Sequence, residues 1–293
     1  MNKIKKIIDD FNGDSDVVTV PHSKELTRGY ELNISKFSGL VSVVKRRSSK
    51  KIADTWSHKI FGKKFSKEKY TAKIPAVIAR HTYVFETILD QLNIKKKKVC
   101  DLGAGEGQFL EILKKKKLNC KLFGIEPSKK NCKLLKNKKI SNFSGTVEDY
   151  YNQKKKKKFD LITLMWTLCN TSNCVDIIKI ANKLLNKNGY IVVAESSRML
   201  VPFKKPIQMY FGKGNPDIHP FHFSKNSLLN LLIINKFKPV YINRYIDSDY
   251  LLIIAKKTNN IRSDLIQLDN YQKVKKFFER WYKESLNYKK EII

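Results

Sequence analysis

The stretch Val99-Cys100-Asp101-Leu102-Gly103-Ala104-Gly105-Glu106-Gly107 decides the fold of this chain. An apolar run carries an acidic residue near its end, three glycines follow at alternate positions, and a helical pattern begins at Gly107. Only glycine lets the backbone approach a ligand closely and adopt positive φ angles without strain. The spacing differs from the dinucleotide pattern G-x-G-x-x-G, because the third glycine comes one position early and Gln108 stands in its place. We expect a strand, a ligand-binding turn and a helix, with a plain tight turn as the less favoured alternative.

From residue 98 onward, short apolar runs alternate with amphipathic stretches, which is typical of strands joined by crossover helices into a mostly parallel sheet. Phe159–Met165 is almost wholly apolar, as expected for a central strand covered on both faces. Asn188-Gly189 predicts a turn before the fifth strand, and Ile246–Asp249 predicts the turn of a final antiparallel hairpin. The predicted strands are Lys98–Leu102, Lys121–Glu126, Ile140–Ser144, Phe159–Met165, Tyr190–Ala194, Val240–Tyr245 and Tyr250–Ala255, and the predicted helices are Gly107–Leu113, Lys129–Leu135, Val175–Leu185 and Leu228–Ile234.

The segments outside this core also carry patterns. An amphipathic helix is predicted from Pro75 to about Leu92, and another from Tyr271 to Tyr282. Lys36–Tyr70 mixes aromatic and basic residues and predicts a short helical cap, whereas residues before about Ser35 are expected to be loose. We therefore expect an N-terminal extension with a helical cap over 1–74, a catalytic domain over 75–256 and a helical extension over 257–293.

The chain has 293 residues and a formal net charge of +32. Clustered lysines and arginines ordinarily indicate nucleic acid or an anionic membrane surface, because they bind phosphates. The runs Lys95–Lys98, Lys114–Lys117 and Lys154–Lys158, however, fall where a helix ends or a strand is about to begin. Solvated loops are therefore favoured over a binding patch.

The five cysteines form no C-x-x-C pair, so neither a zinc site nor a disulfide framework is expected. The first residues lack the apolar stretch of a signal peptide, and no segment has the length and apolar character of a membrane span. These features favour a cytoplasmic protein without a membrane span. The pattern gives no indication of the oligomeric state.

The glycine pattern after Asp101 resembles motif I of the class I S-adenosylmethionine (SAM) dependent methyltransferases. Four further segments resemble this family in the same order, so that the resemblance covers about residues 98 to 256. They are Glu126 at the end of the second strand, Gly145–Asp149 after the third, Phe159–Leu164 as the fourth and Leu184–Tyr190 as the turn into the fifth. Five motifs in the right order are a specific signal, and they imply a Rossmann-like, seven-stranded, mostly parallel sheet with helices on both faces.

The resemblance also implies how SAM is bound. Glu126 would hold the ribose, as an acidic side chain can accept both ribose hydroxyls. Asp101 would face the amino acid part of SAM, directly or through water. The floor under methionine and ribose would be formed by Gly103, Ala104, Gly105 and Gly107, and the adenine would lie between Val147, Glu148 and the backbone near Met165. Alternatives remain for two acids: Glu126 as a solvated helix-start carboxylate, and Glu148 as a surface acid that competes with Asp149.

The residues that act on the acceptor are less evident. Met165–Asn170 lacks the His or acid that many relatives carry after the fourth strand, so a general base is sought in the insert Glu195–Ser224. This insert contains His219 and His222. Either could be the general base, since imidazole titrates near neutral pH. The alternative is that they are loop histidines bonded to the backbone. Arg80-His81 on the preceding helix is a further candidate contact to the SAM carboxylate, although His81 lies on the apolar side of that helix and a packed histidine is the alternative.

The same insert carries basic residues among apolar ones, namely Arg198, Lys204 and Lys205. They are expected to neutralise a phosphate or carboxylate on the acceptor, with solvated charge as the alternative. Pro216–Ser224 resembles a segment of methyltransferases that act on small molecules and sugars. We therefore expect a small, anionic acceptor such as a sugar or a nucleotide-linked sugar.

Three rival functions stay open. Net charge alone favours an RNA methyltransferase, but Met165-Trp166-Thr167 lacks the Asn or Asp, Pro-Pro and aromatic pattern of enzymes that methylate exocyclic base amines. A protein methyltransferase has no recognisable peptide groove in the sequence. A non-catalytic protein that keeps the SAM fold is also conceivable, because fold does not imply function.

Overall fold

The computed structural model describes residues 3–23, 31–55, 75–195, 219–244 and 250–292. Helices and strands alternate along the central part of the chain, as the sequence predicts. The helices are α1 (Lys3–Asn12), α2 (Ser49–Asp54), α3 (Pro75–Gln91), α4 (Gln108–Lys115), α5 (Lys129–Asn137), α6 (Val147–Tyr151), α7 (Cys174–Leu184), α8 (Lys225–Ile234) and α9 (Tyr271–Ile292). The strands are β1 (Val17–Thr19), β2 (Leu32–Ser35), β3 (Val41–Val43), β4 (Lys98–Leu102), β5 (Lys121–Glu126), β6 (Ser141–Ser144), β7 (Phe159–Met165), β8 (Leu185–Glu195), β9 (Phe221–His222), β10 (Phe237–Ile242) and β11 (Leu251–Lys257).

A seven-stranded sheet in the order β10-β11-β8-β7-β4-β5-β6 forms the centre of the molecule. Strands β4 to β8 run parallel, whereas β11 pairs antiparallel with β8 and β10 pairs antiparallel with β11. The predicted Rossmann-like sheet with its antiparallel final hairpin is therefore confirmed. The chain moves outward from β4 to β6 and then returns to β7 on the other side of β4, and ligands bind at such a switch point beyond the carboxyl ends of the strands.

Helices cover both faces of this sheet, as predicted, because neighbouring residues of each buried strand point to opposite sides. On one face Val99 packs with side chains of α3 and α4, including Phe85 and Phe109. On the other face Cys100 belongs to a cluster that contains residues of α7 and α8, including Ile178 and Leu228. Buried residues form the centre of both clusters, so the central strands are held on both faces and their ends can position a site.

The predicted turn at Asn188-Gly189 lies inside β8 and not before it. Asn188 has a left-handed backbone with φ of 65°, and the pairing of β7 with β8 is irregular between Phe159 and Leu161. The strand thus starts at Leu185 and passes through a local irregularity before it pairs regularly from Tyr190. The predicted hairpin turn Ile246–Asp249 lies outside the described residues.

The N-terminal region differs from the predicted helical cap and loose start. Residues 3–12 form α1, and β1, β2 and β3 form an antiparallel sheet that is completed by β9 in the order β1-β2-β3-β9. Within Lys36–Tyr70, helix is present at Ser49–Asp54 only among the described residues, and 56–74 lie outside them. The expectation of a loose start was wrong, because strands of three or four residues are too short to show a period of two in the sequence. The predicted helical cap is present in part, as the helix Ser49–Asp54.

The small sheet packs on the C-terminal helix. Buried Ile34 and Val41 of the sheet lie in one apolar cluster with Val274, Phe278 and Trp281 of α9. The division into 1–74, 75–256 and 257–293 stays a prediction. Among the helices that the structure describes, none combines the length and the apolar character that crossing a bilayer requires.

Candidate active site

A cavity of about 330 Å³ opens at the carboxyl ends of β4, β5 and β7. Its walls come from the turn after β4, the end of β5, the start of α6, the segment after β7, and helices α2 and α3. Eight of the nine positions predicted to bind the cofactor line it, namely Asp101, Gly103, Ala104, Gly105, Glu126, Val147, Glu148 and Met165. The fold thus brings together, in one cavity, residues from 101 to 165 that the sequence pattern had assigned to one site.

Two glycines of the turn are required for different reasons, Gly105 at the cavity and Gly107 in the packing against α5. Gly105 has a φ of 53° and faces the cavity, where an added Cβ would meet only the side chain of Gln108, at 3.6 Å. Gly107 has a φ of 79°, caps α4, and leaves so little room that an added Cβ would lie 2.5 Å from Cδ2 of Leu135. Gly107 is not among the lining residues, so the structure places it in the packing between the turn and α5 instead of on the cavity wall.

Glu126 points at this turn. Its Oε2 accepts a hydrogen bond from the backbone N of Gly105 at 2.9 Å, and its Oε1 accepts from the backbone N of Ser128 at 2.9 Å and from Nδ2 of Asn131 at 3.4 Å. The side chain is 5% exposed, and this burial raises the pKa of Glu126, although the hydrogen bonds oppose the rise. The alternative of a solvated helix-start carboxylate is therefore wrong, because the carboxylate is buried at the cavity wall.

Asp101 lies below the turn at the end of β4 and is 2% exposed. Its Oδ1 accepts a hydrogen bond from Oγ1 of Thr163 on the neighbouring strand β7 at 2.7 Å. Burial raises the pKa of Asp101 to about 7; the hydrogen bond from Thr163 opposes this rise and the nearby charge of Glu126 adds to it. A buried carboxyl on a cavity wall is complementary to a cationic ligand group, which would favour its ionised form.

The start of α6 separates the roles of two neighbouring acids. Asp149 accepts a hydrogen bond from the backbone N of Thr146, and Thr146 Oγ1 accepts from the backbone N of Asp149, which forms a capping box. Asp149 is thereby used to begin the helix, whereas Glu148 lines the cavity. The T-x-x-D spacing is a signal from which the sequence could have assigned Asp149 to the cap.

Helix α2 contributes a wall that the sequence analysis missed. Ser49, Ile52 and Ala53 line the cavity, and Ser49 Oγ donates to Oε1 of Glu148 at 2.9 Å. Ser49 Oγ also lies 2.5 Å from Oγ of Ser172. The N-terminal region is therefore part of the site and holds Glu148 in place.

The segment after β7 forms another part of the cavity wall, which includes Trp166, Thr167 and Asn170. Trp166 adopts a left-handed backbone with φ of 54°, and its backbone N donates to the carbonyl of Ala194 at 2.7 Å. Its ring lies 5.0 Å from that of His81 and 5.5 Å from that of Tyr250, and the Arg80 guanidinium lies 5.9 Å from its centre. Among the described residues, buried Nε1 of Trp166 has no hydrogen-bond partner.

Arg80 and His81 of α3 both line the cavity. Nδ1 of His81 lies 2.8 Å from the carbonyl of Val77, so this nitrogen carries the proton that is donated to the carbonyl. Burial lowers the pKa of His81, and the charge of Arg80 lowers it further, against the bond to Val77. The ring is thus held neutral at the wall of the cavity.

The two histidines of the insert lie in different places. Nδ1 of His219 is 2.6 Å from Oδ1 of Asn170, a residue that lines the cavity. His222 is buried in β9, opposite Val41 of the small sheet, and is not among the lining residues. The structure therefore brings His219 to the cavity through Asn170 and keeps His222 in the sheet. The predicted substrate contacts Arg198, Lys204 and Lys205 lie outside the described residues.

Glu195 is a second feature that the sequence did not reveal. It ends β8, is fully buried, and its Oε1 accepts from the backbone N of Leu168 at 2.6 Å. Burial raises the pKa of Glu195 to about 7, although hydrogen bonds from the Thr167–Cys169 segment oppose the rise. This contact fixes the short helical turn Leu168–Asn170, which carries Asn170 to the cavity.

The cavity has the chemical features that SAM requires. Gly105 offers main chain without a side chain, Glu126 offers a carboxylate to the ribose hydroxyls, and Asp101 offers one to the cationic amino group. These individual roles stay predictions. Val147 and Met165 are buried apolar residues of the cavity wall, and their contact with the adenine is likewise a prediction.

Comparisons with known proteins agree with this geometry. A family model described as "Methyltransferase domain" matches residues 76–238. A ubiquinone biosynthesis O-methyltransferase of Pelagibacter ubique is 30% identical over 131 residues, which cover 41% of this chain and 54% of that protein. A demethylmenaquinone methyltransferase of Thermotoga maritima is 24% identical over 155 residues, which cover 48% of this chain and 66% of that protein. The chain thus matches only part of the length of these curated relatives.

Solved structures show the same fold at low sequence identity. A 1,6-didemethyltoxoflavin-N1-methyltransferase of Burkholderia thailandensis, with bound S-adenosylhomocysteine, superposes with a TM-score of 0.53 at 13% identity and covers 75% of this chain and 96% of its own. A magnesium protoporphyrin IX methyltransferase of Synechocystis with bound SAM has a TM-score of 0.52 at 10% identity, over 73% of this chain and 99% of its own. Because the family match spans more than half of the chain and the cavity carries the expected groups, the chain belongs to the methyltransferase domain family and is a class I SAM-dependent methyltransferase.

Proposed function

We propose that this methyltransferase transfers the methyl group to a hydroxyl on a small, ring-shaped acceptor that lies against Trp166. The observation that carries the proposal is Trp166 itself, which lines the cavity and has an indole N–H without a partner among the described residues. A buried N–H is costly to leave unpaired, so a bound molecule with an oxygen at this position would be favoured.

The ring of Trp166 adds a second preference. Aromatic side chains attract flat or ring-shaped molecules through their large apolar faces, and the indole N–H donates to a polar atom at the edge. His81 and Tyr250 hold the indole ring at its sides and thus keep it in one orientation. A ring compound with an oxygen substituent matches both features.

The curated relatives support this class of acceptor. One is named a ubiquinone biosynthesis O-methyltransferase and the other a demethylmenaquinone methyltransferase. Oxygenated aromatic rings are therefore the first candidates. A sugar or a nucleotide-linked sugar is the second candidate, because a sugar ring also packs on indole and because Arg198, Lys204 and Lys205 would neutralise an anionic group.

Methyl transfer to a hydroxyl requires that a base accept the hydroxyl proton. SAM supplies an electrophilic methyl group on a sulfonium, so the protein mainly aligns the acceptor and removes this proton. Nδ2 of Asn170 donates to the carbonyl of Trp166 at 2.9 Å, which fixes Oδ1 as the atom that faces His219. Nδ1 of His219 must then carry the proton that is donated to Asn170, so Nε2 is the ring nitrogen that would accept the hydroxyl proton.

The experiment measures formation of S-adenosylhomocysteine by the purified chain with a panel of phenols, hydroxyquinones and nucleotide-linked sugars. Two variants separate the contributions of Trp166: W166F keeps a ring and removes the N–H, and W166A removes both. We expect W166F to raise the acceptor KM roughly tenfold, as for one lost hydrogen bond, and W166A to raise it further. Y190F, a change of an aromatic residue outside the cavity, is the matched control.

Three outcomes would contradict the proposal. The first is turnover with RNA or a protein substrate but with no ring compound. The second is an unchanged acceptor KM in both Trp166 variants. The third is a loss of SAM affinity equal to the loss of acceptor affinity, which would place Trp166 at the cofactor instead.

A further inference from the structure

Six lysines surround a second cavity of about 620 Å³, at the end of the sheet opposite the active site. They are Lys98, Lys114, Lys121, Lys139, Lys157 and Lys158. The other lining residues that the structure describes are neutral, so none of them contributes a carboxylate to the wall. All six lysines are exposed to solvent. This second cavity is called the lysine cavity.

The topology explains why lysines from separate parts of the sequence meet here. Lys98 begins β4 and Lys121 begins β5, and the two residues are partners in the parallel register. Lys139 precedes β6, and Lys157 and Lys158 precede β7. Since the amino ends of parallel strands lie at one edge of a sheet, the lysine runs that the sequence places in loops before strands are gathered at that edge. The SAM cavity lies at the other edge.

Nearby acids do not neutralise these lysines. None of the six forms a salt bridge with a residue that the structure describes. Glu111 is engaged by Lys115 at 3.1 Å and by Lys138 at 2.7 Å, and Glu86 is engaged by Lys116 at 3.5 Å. The ammonium groups of Lys114 and Lys158 donate to the carbonyls of Lys138 and Lys183, and that of Lys157 lies 4.6 Å from the centre of the Phe123 ring. These contacts do not neutralise the positive charge, so the charge of the lysine cavity is available to an anionic ligand.

Asp160 is an acid close to this edge, and its carboxylate is engaged in hydrogen bonds with groups outside the lysine cavity's side chains. Its carboxylate accepts hydrogen bonds from the backbone N of Lys98 at 2.9 Å and from Nδ2 of Asn186 at 2.7 Å. Partial burial opposes ionisation, yet these bonds and the charges of Lys97 and Lys98 lower the pKa of Asp160. Asp160 therefore stabilises the entry into β4 and does not line the cavity.

We propose that the lysine cavity binds a compact anion that carries several phosphate groups. Ammonium groups on several walls can each donate to a different phosphate oxygen, and such charge-assisted hydrogen bonds are among the stronger ones in proteins. A concave site suits a ligand that enters it, whereas a flat membrane or a nucleic-acid duplex would meet only the lysines at its rim. Lys98 and Lys121 lie side by side and repel each other, so a multivalent anion between them relieves this repulsion.

The test uses inorganic tripolyphosphate as the probe and isothermal titration calorimetry of the full chain. The variant K98Q/K121Q/K139Q removes three charges from the lysine cavity. The control K238Q/K273Q/K276Q removes three charges from exposed lysines of β10 and α9 that do not line it. We expect the cavity variant to bind tripolyphosphate at least about tenfold more weakly than the wild type, while the control changes little. The SAM affinity should be unchanged in both variants.

Competition experiments identify the source of the phosphates. Tripolyphosphate should displace a labelled nucleoside triphosphate from the wild type, and it should do so better than single-stranded RNA or anionic vesicles at equal phosphate concentration. Equal weakening in the two triple variants would mean that only the net charge matters, and it would overturn the proposal. Absence of tripolyphosphate binding at low salt, or binding of RNA or vesicles that tripolyphosphate does not displace, would also overturn it.

Discussion

Oε2 of Glu126 accepts a hydrogen bond from the backbone N of Gly105 at 2.9 Å and thereby joins the end of β5 to the glycine turn after β4. The same carboxylate has its other oxygen fixed by the backbone N of Ser128. One side chain thus determines the shape of the turn and presents negative charge to the cavity.

Replacement of Glu126 by Gln should weaken SAM binding. The amide keeps one oxygen for Gly105 but loses the charge and one acceptor for the ribose hydroxyls. We expect the dissociation constant of S-adenosylhomocysteine to rise roughly tenfold to hundredfold, as for loss of a hydrogen bond to a charged group. Calorimetric titration measures this change. D149N, a substitution in the capping box of α6, is the control, and equal effects of both variants would argue against a cofactor contact at Glu126.

Alanine at Gly107 should mainly lower the stability of the fold, whereas alanine at Gly105 should mainly weaken SAM binding. An added Cβ at Gly107 would overlap Leu135, so G107A should lower the free energy of unfolding by about 1–3 kcal/mol. An added Cβ at Gly105 makes only an ordinary contact with the Gln108 side chain, at 3.6 Å, so G105A should cost about 1 kcal/mol through its left-handed backbone. Its main effect should be weaker SAM binding, because the methyl group enters the cavity. Urea unfolding and calorimetry measure the two effects, and a more stable G107A than G105A would contradict this assignment.

The free energy of unfolding should depend on pH through Asp101. Its pKa is about 7 in the folded protein against 3.8 in the unfolded chain. The folded state therefore binds the proton more tightly, and the stabilisation from this group, present in full below pH 3.8, is lost as the pH rises to about 7. Substitution D101N should flatten this dependence, as measured by urea unfolding from pH 4 to pH 8. Burial also raises the pKa of Glu195 to about 7, so this group adds to the same pH dependence of stability. D101N should therefore remove only part of that dependence.

SAM binding should show the reverse dependence on pH. The ligand's amino group is cationic and favours ionised Asp101, so the affinity should increase as the pH passes about 7. Calorimetry in buffers of different ionisation enthalpy would detect the released proton. An affinity that is equal at pH 6 and pH 8 would mean that Asp101 does not face the amino group.

His219 and His222 should differ in what their loss affects. H219A should lower kcat about a hundredfold or more on the best acceptor while SAM affinity is kept, as expected for loss of a general base. H222A should instead lower the melting temperature, because this residue is buried in β9. Steady-state kinetics and thermal unfolding of both variants test the distinction. If kcat stays unchanged in H219A, the base lies elsewhere, and His81 would be the next residue to replace.

The sequence predicted the parts of the fold that local patterns encode. Phe159–Met165 is a continuous apolar run and forms β7 with the predicted bounds, and the acid at the end of β5 lies at the glycine turn as expected. Such features depend on residues close in sequence, or on a motif order that fixes which strands are neighbours. Eight of the nine positions predicted to bind the cofactor therefore lie on one cavity wall, and their roles toward SAM stay predictions.

Other parts depend on contacts that no local pattern contains. Ser49 contacts Glu148 across 99 positions, and the six residues of α2 are too few to show a helical period. β9 has two residues and exists only because β3 pairs with it. The left-handed backbone of Trp166 is likewise fixed by the surrounding structure, since a bulky residue rarely adopts it on its own.

The pairing of β3 with β9 sets the order in which the enzyme can become competent during synthesis. Val41 leaves the ribosome early, but its partner His222 follows only after the whole of the parallel sheet has been made. Long-range strand pairing of this kind forms slowly, because a large loop must close first. A nascent chain can thus build the glycine turn long before the small sheet is complete, and the four-stranded small sheet is a late product of translation.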